Sequence, residues 1–370
     1  MHISPRLTPR NKGLLGALLF ALSAYFAWLS SAASNMTSPM CPTDRRKVVV
    51  ISDMQACGDD GIGVLLLAKD KCISLRAAIG TSGNIWANEA TLNLARLLKR
   101  IKSDAKAYVG LPIQFHTERI SRFRKERSSR SSFVTYPGAL AKLSSYSPPT
   151  TSASLIAKES GIDYLTRTLV SEAQPVTLCV FGPPTILWEA LHRAPELNRL
   201  IANVFMMGGA VHIQGNATEF AEFNFWFDPV AANGVLGSGL PITLIALDAT
   251  DPISYPSDVL YRGNPQSAAY QYVQHCLKER HRRTRAPIRM WDEVVAAVTL
   301  SESVISESIT SAAEVETSAG PRYGALRLVN DTDSRRPKLR IVLAVRPAAV
   351  TAAIRDAVDL GDEGREADEP

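Results

Sequence analysis

The sequence predicts an α/β protein whose open, mostly parallel but mixed sheet carries helices on both faces. Continuous apolar runs rich in β-branched residues recur along the chain, and such runs are typical of strands buried on both faces. Amphipathic patterns of helical period separate several of these runs, and strands that alternate with helices favour a parallel sheet. Ligands of such sheets bind outside the carboxyl ends of the strands. Polar residues that directly follow a predicted strand are therefore the candidate functional residues.

Six apolar runs predict the strands. The first, KVVVIS at residues 47–52, is an uninterrupted β-branched run and is the predicted first strand of the sheet. The other predicted strands are residues 73–80, 176–182, 200–207, 242–247 and 339–346. Helical periodicity predicts helices over residues 88–101 and 153–170.

The N-terminus predicts export. Basic residues precede an apolar run at residues 13–29, and small residues follow it up to Ala33, as in a secretory signal peptide cleaved near that residue. The alternative is an uncleaved membrane anchor, although the apolar run is slightly short for a span of roughly 20 residues. The predicted order is a signal peptide (1–33), a linker (34–46), a folded domain (47–357) and an acidic disordered tail (358–370). The predicted location is the periplasm or the exterior.

Composition and charge exclude several classes of protein. With 46% hydrophobic and 21% charged residues, the chain is neither disordered nor a multi-span membrane protein. The net charge is +5, but three basic residues without an acidic counterpart lie in the first 33. The rest of the chain is therefore close to neutral and lacks the basic excess that is typical of nucleic-acid-binding proteins. The five cysteines are scattered without a metal-binding spacing, and they indicate neither a thiolate metal site nor a disulfide framework.

An acidic turn follows the first predicted strand. The segment DMQACGDDG, residues 53–61, brings three carboxylates and an amide to the place where the sheet would bind its ligand. Carboxylates this close repel one another, and a hard cation such as calcium or magnesium relieves that repulsion. The alternative is an ordinary turn, because Asp is also a preferred helix N-cap. The carboxylates would raise the pKa of the Cys57 thiol, which argues against a reactive nucleophile there.

Four later segments follow predicted strands or lie near the C-terminal part of the domain. They are Gly83-Asn84, GPPT at residues 182–185, the stretch from residue 207 to residue 229, and MWD at residues 290–292. Together with the acidic turn, these ordered motifs make most of residues 47–350 resemble the inosine–uridine-preferring nucleoside hydrolase family. The resemblance implies a Rossmann-like nucleoside hydrolase fold and cleavage of ribonucleosides to base and ribose. Similar proteins are commonly homodimers or homotetramers, so a homo-oligomer is expected.

The resemblance also assigns candidate site residues. It implies a calcium ion held by Gln55, Asp60, the Thr185 carbonyl and Asp292, with Gln55 and Asp59 at the catalytic positions. It implies that the ribose is bound by Asp59, Asn84, Met207, Asn216, Glu222 and Asn224. Cleavage passes through a sugar cation, so such a site must hold the hydroxyls and deliver a water to C1. A calcium ion can orient both the ribose diol and that water.

Two departures from the family pattern matter for activity. Gln55 stands where the family has an acid that binds calcium and serves as general base, and an amide cannot accept a proton at useful pH. Trp291 stands where related enzymes often have a histidine near the leaving base, and His116, His212 or His281 could replace it. The alternatives to a nucleoside hydrolase are therefore a non-catalytic or weakly active nucleoside- or ribose-binding protein, or a hydrolase of another glycoside or of a modified nucleoside.

Two basic clusters, residues 119–130 and 278–289, have no role in this scheme. Charge runs of this kind are usually solvated faces of loops or helices. The alternative is a rim that binds phosphate or a partner.

Overall fold

The computed structural model describes residues 41, 44–110, 156–171, 175–255, 263–283, 287–329 and 335–359. The chain divides into two compact units, Met1–Asp44 and Arg45–Pro370, and the elements below belong to the second. Within the described residues, no helix is long and apolar enough to cross a membrane. The predicted signal peptide, His116 and the basic cluster at residues 119–130 lie outside the described residues.

A single mixed sheet organises the second unit. Its order is β3-β2-β1-β4-β5-β6-β9-β7-β8. The first six strands and β9 run parallel, whereas β7 pairs antiparallel with both β9 and β8. The strands are β1 (Arg46–Ser52), β2 (Ile73–Gly80), β3 (Lys106–Val109), β4 (Val176–Val180), β5 (Ile201–Met207), β6 (Ile242–Ile245), β7 (Ile305–Val315), β8 (Leu326–Val329) and β9 (Leu339–Val345). The predicted fold class is confirmed.

Helices cover both faces of this sheet. They are α1 (Asp59–Lys69), α2 (Ala87–Arg100), α3 (Gly161–Asp163), α4 (Leu169–Ser171), α5 (Thr185–Arg193), α6 (Phe223–Phe227), α7 (Pro229–Leu236), α8 (Leu247–Thr250), α9 (Ala268–Arg283), α10 (Asp292–Leu300) and α11 (Pro347–Asp359). A π-helical turn, Tyr164–Thr168, joins α3 to α4.

The core lies in two layers, one on each side of the sheet. In β1, Val48 and Val50 pack into the layer formed with α1, α2, α9, α10 and α11. Val49 and Ile51 pack into the opposite layer with α5 and α7. Successive strand side chains point to opposite faces, so a strand covered on both sides needs apolar residues at every position. This explains the uninterrupted run that predicted β1.

One predicted helix begins later than its periodicity suggests. The prediction over residues 153–170 includes Ile156, which instead forms a strand-like bridge with Ala107. Ser160 then caps α3 by accepting a hydrogen bond from the Asp163 N–H at 3.2 Å. Because Ser is a preferred N-cap, the described helical segment begins after it, at Gly161.

The cysteines correct a second expectation. Cys41 and Cys72 are each disulfide-bonded, whereas the odd number and the scatter of the cysteines indicated no disulfide framework. Whether a cysteine is bridged depends on the approach of two Cα atoms in space, and sequence spacing does not report that distance. Cys57, Cys179 and Cys276 are thiols.

Candidate active site

The loops that follow β1, β2 and β4 converge on Asp53. Its carboxylate is buried and accepts a hydrogen bond from the Asn84 N–H at 2.5 Å. A Cβ atom on Gly83 would lie 2.1 Å from Asp53 Oδ2, and one on Gly182 would lie 2.7 Å from Oδ1. Both positions therefore require glycine, because any side chain would displace the carboxylate. Since β2 and β4 flank β1, the sheet order itself brings these loops together.

Three carboxylates meet beside this point. Asp59 and Asp60 begin α1, Asp292 begins α10, and one carboxylate oxygen of each lies within 4.8 Å of the others. Asp60 and Asp292 are buried, whereas Asp59 is half-buried. A Cβ on Gly63 would lie 3.0 Å from the Asp292 carbonyl oxygen, so this glycine allows α10 to approach α1. Residues more than 200 positions apart thus form one acidic site.

The electrostatics of this site favour a bound cation. Burial raises the pKa of Asp60, and the charges of Asp53 and Asp59 raise it further. Burial also raises the pKa of Asp292, followed by the charges of Asp59 and Asp60. The pKa of Asp53 rises to about 7, first because the group is buried. A set of carboxylate oxygens is the ligand chemistry of calcium and magnesium, so these residues fit a hard metal ion.

Glu222 organises the loop that follows β5. Its side chain is 1% exposed and accepts hydrogen bonds from the main-chain N–H groups of Asn224 (2.8 Å), Gly209 (3.0 Å) and Phe225 (3.1 Å). It is the N-cap of α6. Both carboxylate oxygens are therefore engaged with the main chain, so Glu222 fixes the positions of its neighbours.

Asn224 connects the ends of two strands. Its Nδ2 donates to the carbonyl oxygens of Phe181, after β4, at 3.0 Å and Met207, at the end of β5, at 3.3 Å. Asn216 supports the same loop, because its Oδ1 accepts a hydrogen bond from the Phe223 N–H at 2.8 Å. The structure thus brings Met207, Glu222 and Asn224 together and places Asn216 next to their loop.

We expect Glu222→Ala to destabilise the protein by at least about 2 kcal/mol. The substitution leaves three buried N–H donors without their acceptor, and each unsatisfied donor costs about 1–3 kcal/mol. Denaturant unfolding at fixed pH measures the loss. Glu219→Ala is the matched control, because Glu219 is an exposed carboxylate in the same loop. Equal stability of the two variants would contradict the role assigned to Glu222.

Glu222 also predicts a pH dependence of stability. Burial raises its pKa from 4.5 to about 7, so the folded protein holds this proton more tightly than the unfolded chain does. The stabilisation that this tightly held proton gives to the folded protein is complete below about pH 4.5 and is lost as the pH rises to about 7. Glu222→Gln cannot titrate and serves as the reference. The free energy of unfolding of wild type, minus that of Glu222→Gln, should fall across that window by up to about 1.4 kcal/mol per pH unit. A constant difference would contradict the prediction.

The remaining metal candidates are positioned by local turns. Thr185 begins α5 after β4, and its hydroxyl donates to Asp228 Oδ2 at 2.6 Å. Asp228 is buried and caps α7 through the Ala231 N–H. Gln55 is half-buried, and its carbonyl oxygen accepts the Gly58 N–H at 3.0 Å. The roles of the Thr185 carbonyl and the Gln55 side chain stay predictions from the family pattern.

Trp291 and the two described candidate histidines differ in their surroundings. Trp291 directly precedes Asp292 and packs against the core layer that contains α1. His212 and His281 are both exposed. The structure therefore places a tryptophan beside the metal carboxylates and leaves these two histidines on the surface.

A buried polar cluster next to Asp292 was not predicted. Glu293 is fully buried, and its Oε1 accepts hydrogen bonds from the Tyr255 hydroxyl at 2.6 Å and Arg280 Nη1 at 3.4 Å. Arg280 also donates to the Arg289 carbonyl oxygen at 2.8 Å. The solvated face expected for residues 278–289 is therefore wrong at Arg280, because its side chain is only 15% exposed. The one sequence signal for this cluster was a glutamate within the apolar helix α10.

The fold and the acidic site together define an α/β protein that binds its ligand at the carboxyl ends of parallel strands, beside carboxylates able to hold a metal ion. The model of the inosine-uridine preferring nucleoside hydrolase family matches residues 50–352. The chain belongs to this family, and it is a hydrolase that acts on N-glycosyl bonds.

Individual relatives agree with the family. The chain is 29% identical over 238 residues to the pyrimidine-specific ribonucleoside hydrolase RihA of Salmonella arizonae, covering 63% of this chain and 72% of the relative. A plant nucleoside hydrolase structure superposes with a TM-score of 0.67 at 21% identity, covering 85% of this chain and 99% of that one. The purine-preferring ribonucleoside hydrolase of Gardnerella vaginalis gives a TM-score of 0.67 at 20% identity, covering 85% and 98%. At such identities the structural matches show the fold alone.

Proposed function

We propose that the chain is an exported, calcium-dependent hydrolase that cleaves the N-glycosidic bond of ribonucleosides to free base and ribose. The observation that carries this proposal is the convergence of Asp59, Asp60 and Asp292 within 4.8 Å. Their carboxylates lie at the strand ends of a nucleoside hydrolase family member, where an α/β sheet binds its ligand.

Asp60, Asp292, the Gln55 amide and the Thr185 carbonyl would hold the calcium ion. When bound, calcium orients the ribose diol and the attacking water and lowers the pKa of that water. Ser52 Oγ donates to Asp60 Oδ1 at 2.7 Å, which fixes the direction of one ligand. An outer hydrogen bond of this kind typically matters for metal affinity.

The proposed ribose contacts use side-chain oxygens that are exposed or suitably oriented. Asp59 is the most exposed of the three carboxylates and can accept from a ribose hydroxyl. Asn224 is held by its nitrogen through the strand-end carbonyls, which orients its oxygen. Ribose hydroxyls both donate and accept, so a site built from Asp59, Asn84, Asn216 and Asn224 can bind them on several sides, while Glu222 holds the loop.

Removal of a proton from the water needs a group other than Gln55. Apart from the proposed calcium ligands Asp60 and Asp292, the nearby carboxylates are those of Asp53 and Asp59. Asp53 is enclosed by Gly83, Gly182 and the Asn84 N–H, whereas Asp59 is half-buried. We therefore assign the role of substitute base to Asp59. Water adds its oxygen to C1 as the glycosidic bond breaks, Asp59 takes up one proton of that water, and the leaving nucleobase receives a proton from solvent. Trp291 can stack on that base but cannot supply the proton.

The test is ribose release by a chain that begins at residue 34. A panel of purine and pyrimidine nucleosides is required, because the relatives are named pyrimidine-specific and purine-preferring. We expect release in calcium, its loss in excess chelator, and its recovery when calcium is restored. Chelator-insensitive release would contradict the metal role, and folded, calcium-binding protein without release would contradict the hydrolase.

Gln55 and Trp291 favour a second candidate function, a nucleoside- or ribose-binding protein that retains the metal site. Neither side chain can transfer a proton at ordinary pH, whereas the ribose contacts do not depend on proton transfer. Calcium-dependent binding of ribose or a nucleoside, measured by calorimetry without turnover, would support this function over hydrolysis.

The disulfide-bonded cysteines support the proposal of export. Disulfide bonds persist in oxidising compartments, and Cys41 and Cys72 are disulfide-bonded. We expect the extracytoplasmic fraction to contain a chain whose N-terminus lies near residue 34, and the intact mass checks this. An intact mass that retains residues 1–33 would instead indicate an anchor. The expected homo-oligomer is tested by light scattering during size-exclusion chromatography.

A further inference from the structure

Two thiols lie in contact beside the acidic site. Cys57 is half-buried in the loop between Gln55 and Asp59, and Cys276 is fully buried in α9. Their side chains share a hydrogen bond, which raises the pKa of the Cys276 thiol together with burial. Cys57 has a φ of 61°, a left-handed conformation that is uncommon for a residue other than glycine. The loop is therefore held in an unusual conformation at the residue that meets α9.

The helix α9 packs closely against this part of the chain. Tyr272 lies one turn before Cys276, so both residues are on the same face of the helix. A Cβ on Gly61 would lie 2.0 Å from the Tyr272 hydroxyl oxygen and 2.8 Å from Met54 Cε. Gly61 thus allows this face of α9 to reach the start of α1. Cys57 packs against the same core cluster that contains Cys276 and Tyr272.

We propose that Cys57 and Cys276 form a reversible disulfide that ties the acidic loop to α9. The oxidant is a low-molecular-weight disulfide. Cys57, the more exposed thiol, attacks one of its sulfurs as the thiolate, forms a mixed disulfide and releases one small thiol. The neighbouring carboxylates keep this thiolate scarce, so the exchange is slow, but they do not prevent the bond from forming at equilibrium. Cys276 then attacks the Cys57 sulfur, the protein S–S bond forms, and a second small thiol leaves. The protein loses two electrons, and its two thiol protons end on the two released thiols.

This bond would alter the metal site. A disulfide requires an S–S distance of about 2.05 Å, which is shorter than a contact between two thiols. Residue 57 must therefore move toward α9 when the bond forms. Asp59 and Asp60 follow by two and three residues, whereas Asp292 lies on another helix, so the three carboxylates shift relative to one another. We expect the oxidised protein to bind calcium about 10-fold more weakly, the scale of effect seen when groups outside a metal's ligand shell are disturbed.

The oxidised state is tested by peptide mapping of the chain from residue 34. The protein is equilibrated in mixtures of reduced and oxidised glutathione, alkylated and digested without reduction. We expect a linked peptide containing Cys57 and Cys276 that disappears on reduction, while Cys179, whose thiol contacts the Thr299 hydroxyl at 3.4 Å, remains alkylated. A glutathione adduct on Cys57 without the linked peptide would overturn the proposal, as would two thiols that stay reduced throughout.

Calcium affinity is the second measurement, and it does not depend on hydrolysis. Calorimetry should show about 10-fold weaker binding by the oxidised wild type than by the reduced one. Cys57→Ser should remove this difference, and Cys179→Ser, the matched control for loss of a thiol, should retain it. Equal affinity of the two redox states would overturn the coupling to the metal site. Since mapping and calorimetry need no turnover, failure of the proposed hydrolase activity leaves both tests intact.

Discussion

Replacing Gln55 with Asp should raise the rate of ribose release by about 10²–10⁴-fold, the usual contribution of a positioned general base. An amide oxygen can bind calcium but cannot accept a proton, whereas a carboxylate can do both. The substitution also adds a further negative charge near Asp53, Asp59, Asp60 and Asp292. Calcium should therefore bind more tightly, and the chelated protein should be less stable. Initial rates at saturating calcium across the nucleoside panel measure the effect on kcat.

Gln55→Asn is the matched control, because Asn has the size of Asp and keeps the amide. It separates the effect of a shorter side chain from the effect of a carboxylate. A large gain with Asp but not with Asn identifies the wild type as a binding protein or a slow enzyme. If the wild type is already fast and Asp changes the rate less than about twofold, the missing-base argument is wrong. Loss of that fast rate in Asp59→Asn, with calcium affinity and nucleoside affinity unchanged, would then identify Asp59 as the base.

The parts of the fold predicted from sequence are those in which the local pattern and the tertiary environment agree. The run at residues 47–52 is apolar at every position because both sides of β1 are buried. By contrast, β7 alternates exposed and buried residues irregularly along ISESITSAAEV, so it carries no strong strand signal. The strand β3 has four residues, too few for a periodic pattern. Pairing with neighbouring strands, rather than local sequence, defines these two elements.

The candidate site likewise has parts that the local sequence indicates and parts that only the tertiary structure reveals. The acidic turn could be recognised because Asp53 directly follows the end of β1 and Asp59 and Asp60 lie in the same short segment, at the start of α1. Asp292 could be assigned only through the family resemblance, since nothing local indicates that α10 meets α1. The cluster of Glu293 with Arg280 was missed because a charged helix end usually faces solvent, and only the packing shows that this arginine is buried. Likewise, the contact between Cys57 and Cys276 depends on the position of α9.

Asp292→Asn is expected to have two large effects, one on calcium binding with ribose release and one on the stability of the metal-free protein. The substitution removes a proposed calcium ligand while preserving side-chain size. Loss of a group that only supports a metal ligand typically lowers affinity or activity by about 10–100-fold. Because Asp292 would itself be a ligand, we expect calcium affinity and ribose release to fall by about 100-fold or more. Without metal, the variant should be more stable than wild type. Burial and the charges of Asp59 and Asp60 raise the pKa of Asp292, which means that the folded protein disfavours this charge by about 1.4 kcal/mol per pKa unit.

Calorimetric titration with calcium and thermal unfolding in chelator measure the two effects on the same samples. Glu293→Gln is the control, because it removes the adjacent buried carboxylate, which the Tyr255 hydroxyl and Arg280 already hold, without removing a proposed ligand. A merely structural Asp292 would lower stability both with and without calcium. If Asp292 instead holds the metal, the variant should be more stable than wild type in chelator and should bind calcium more weakly. This combination is expected because the buried Asp292 carboxylate lowers the stability of the metal-free protein and serves the metal that the proposed chemistry requires.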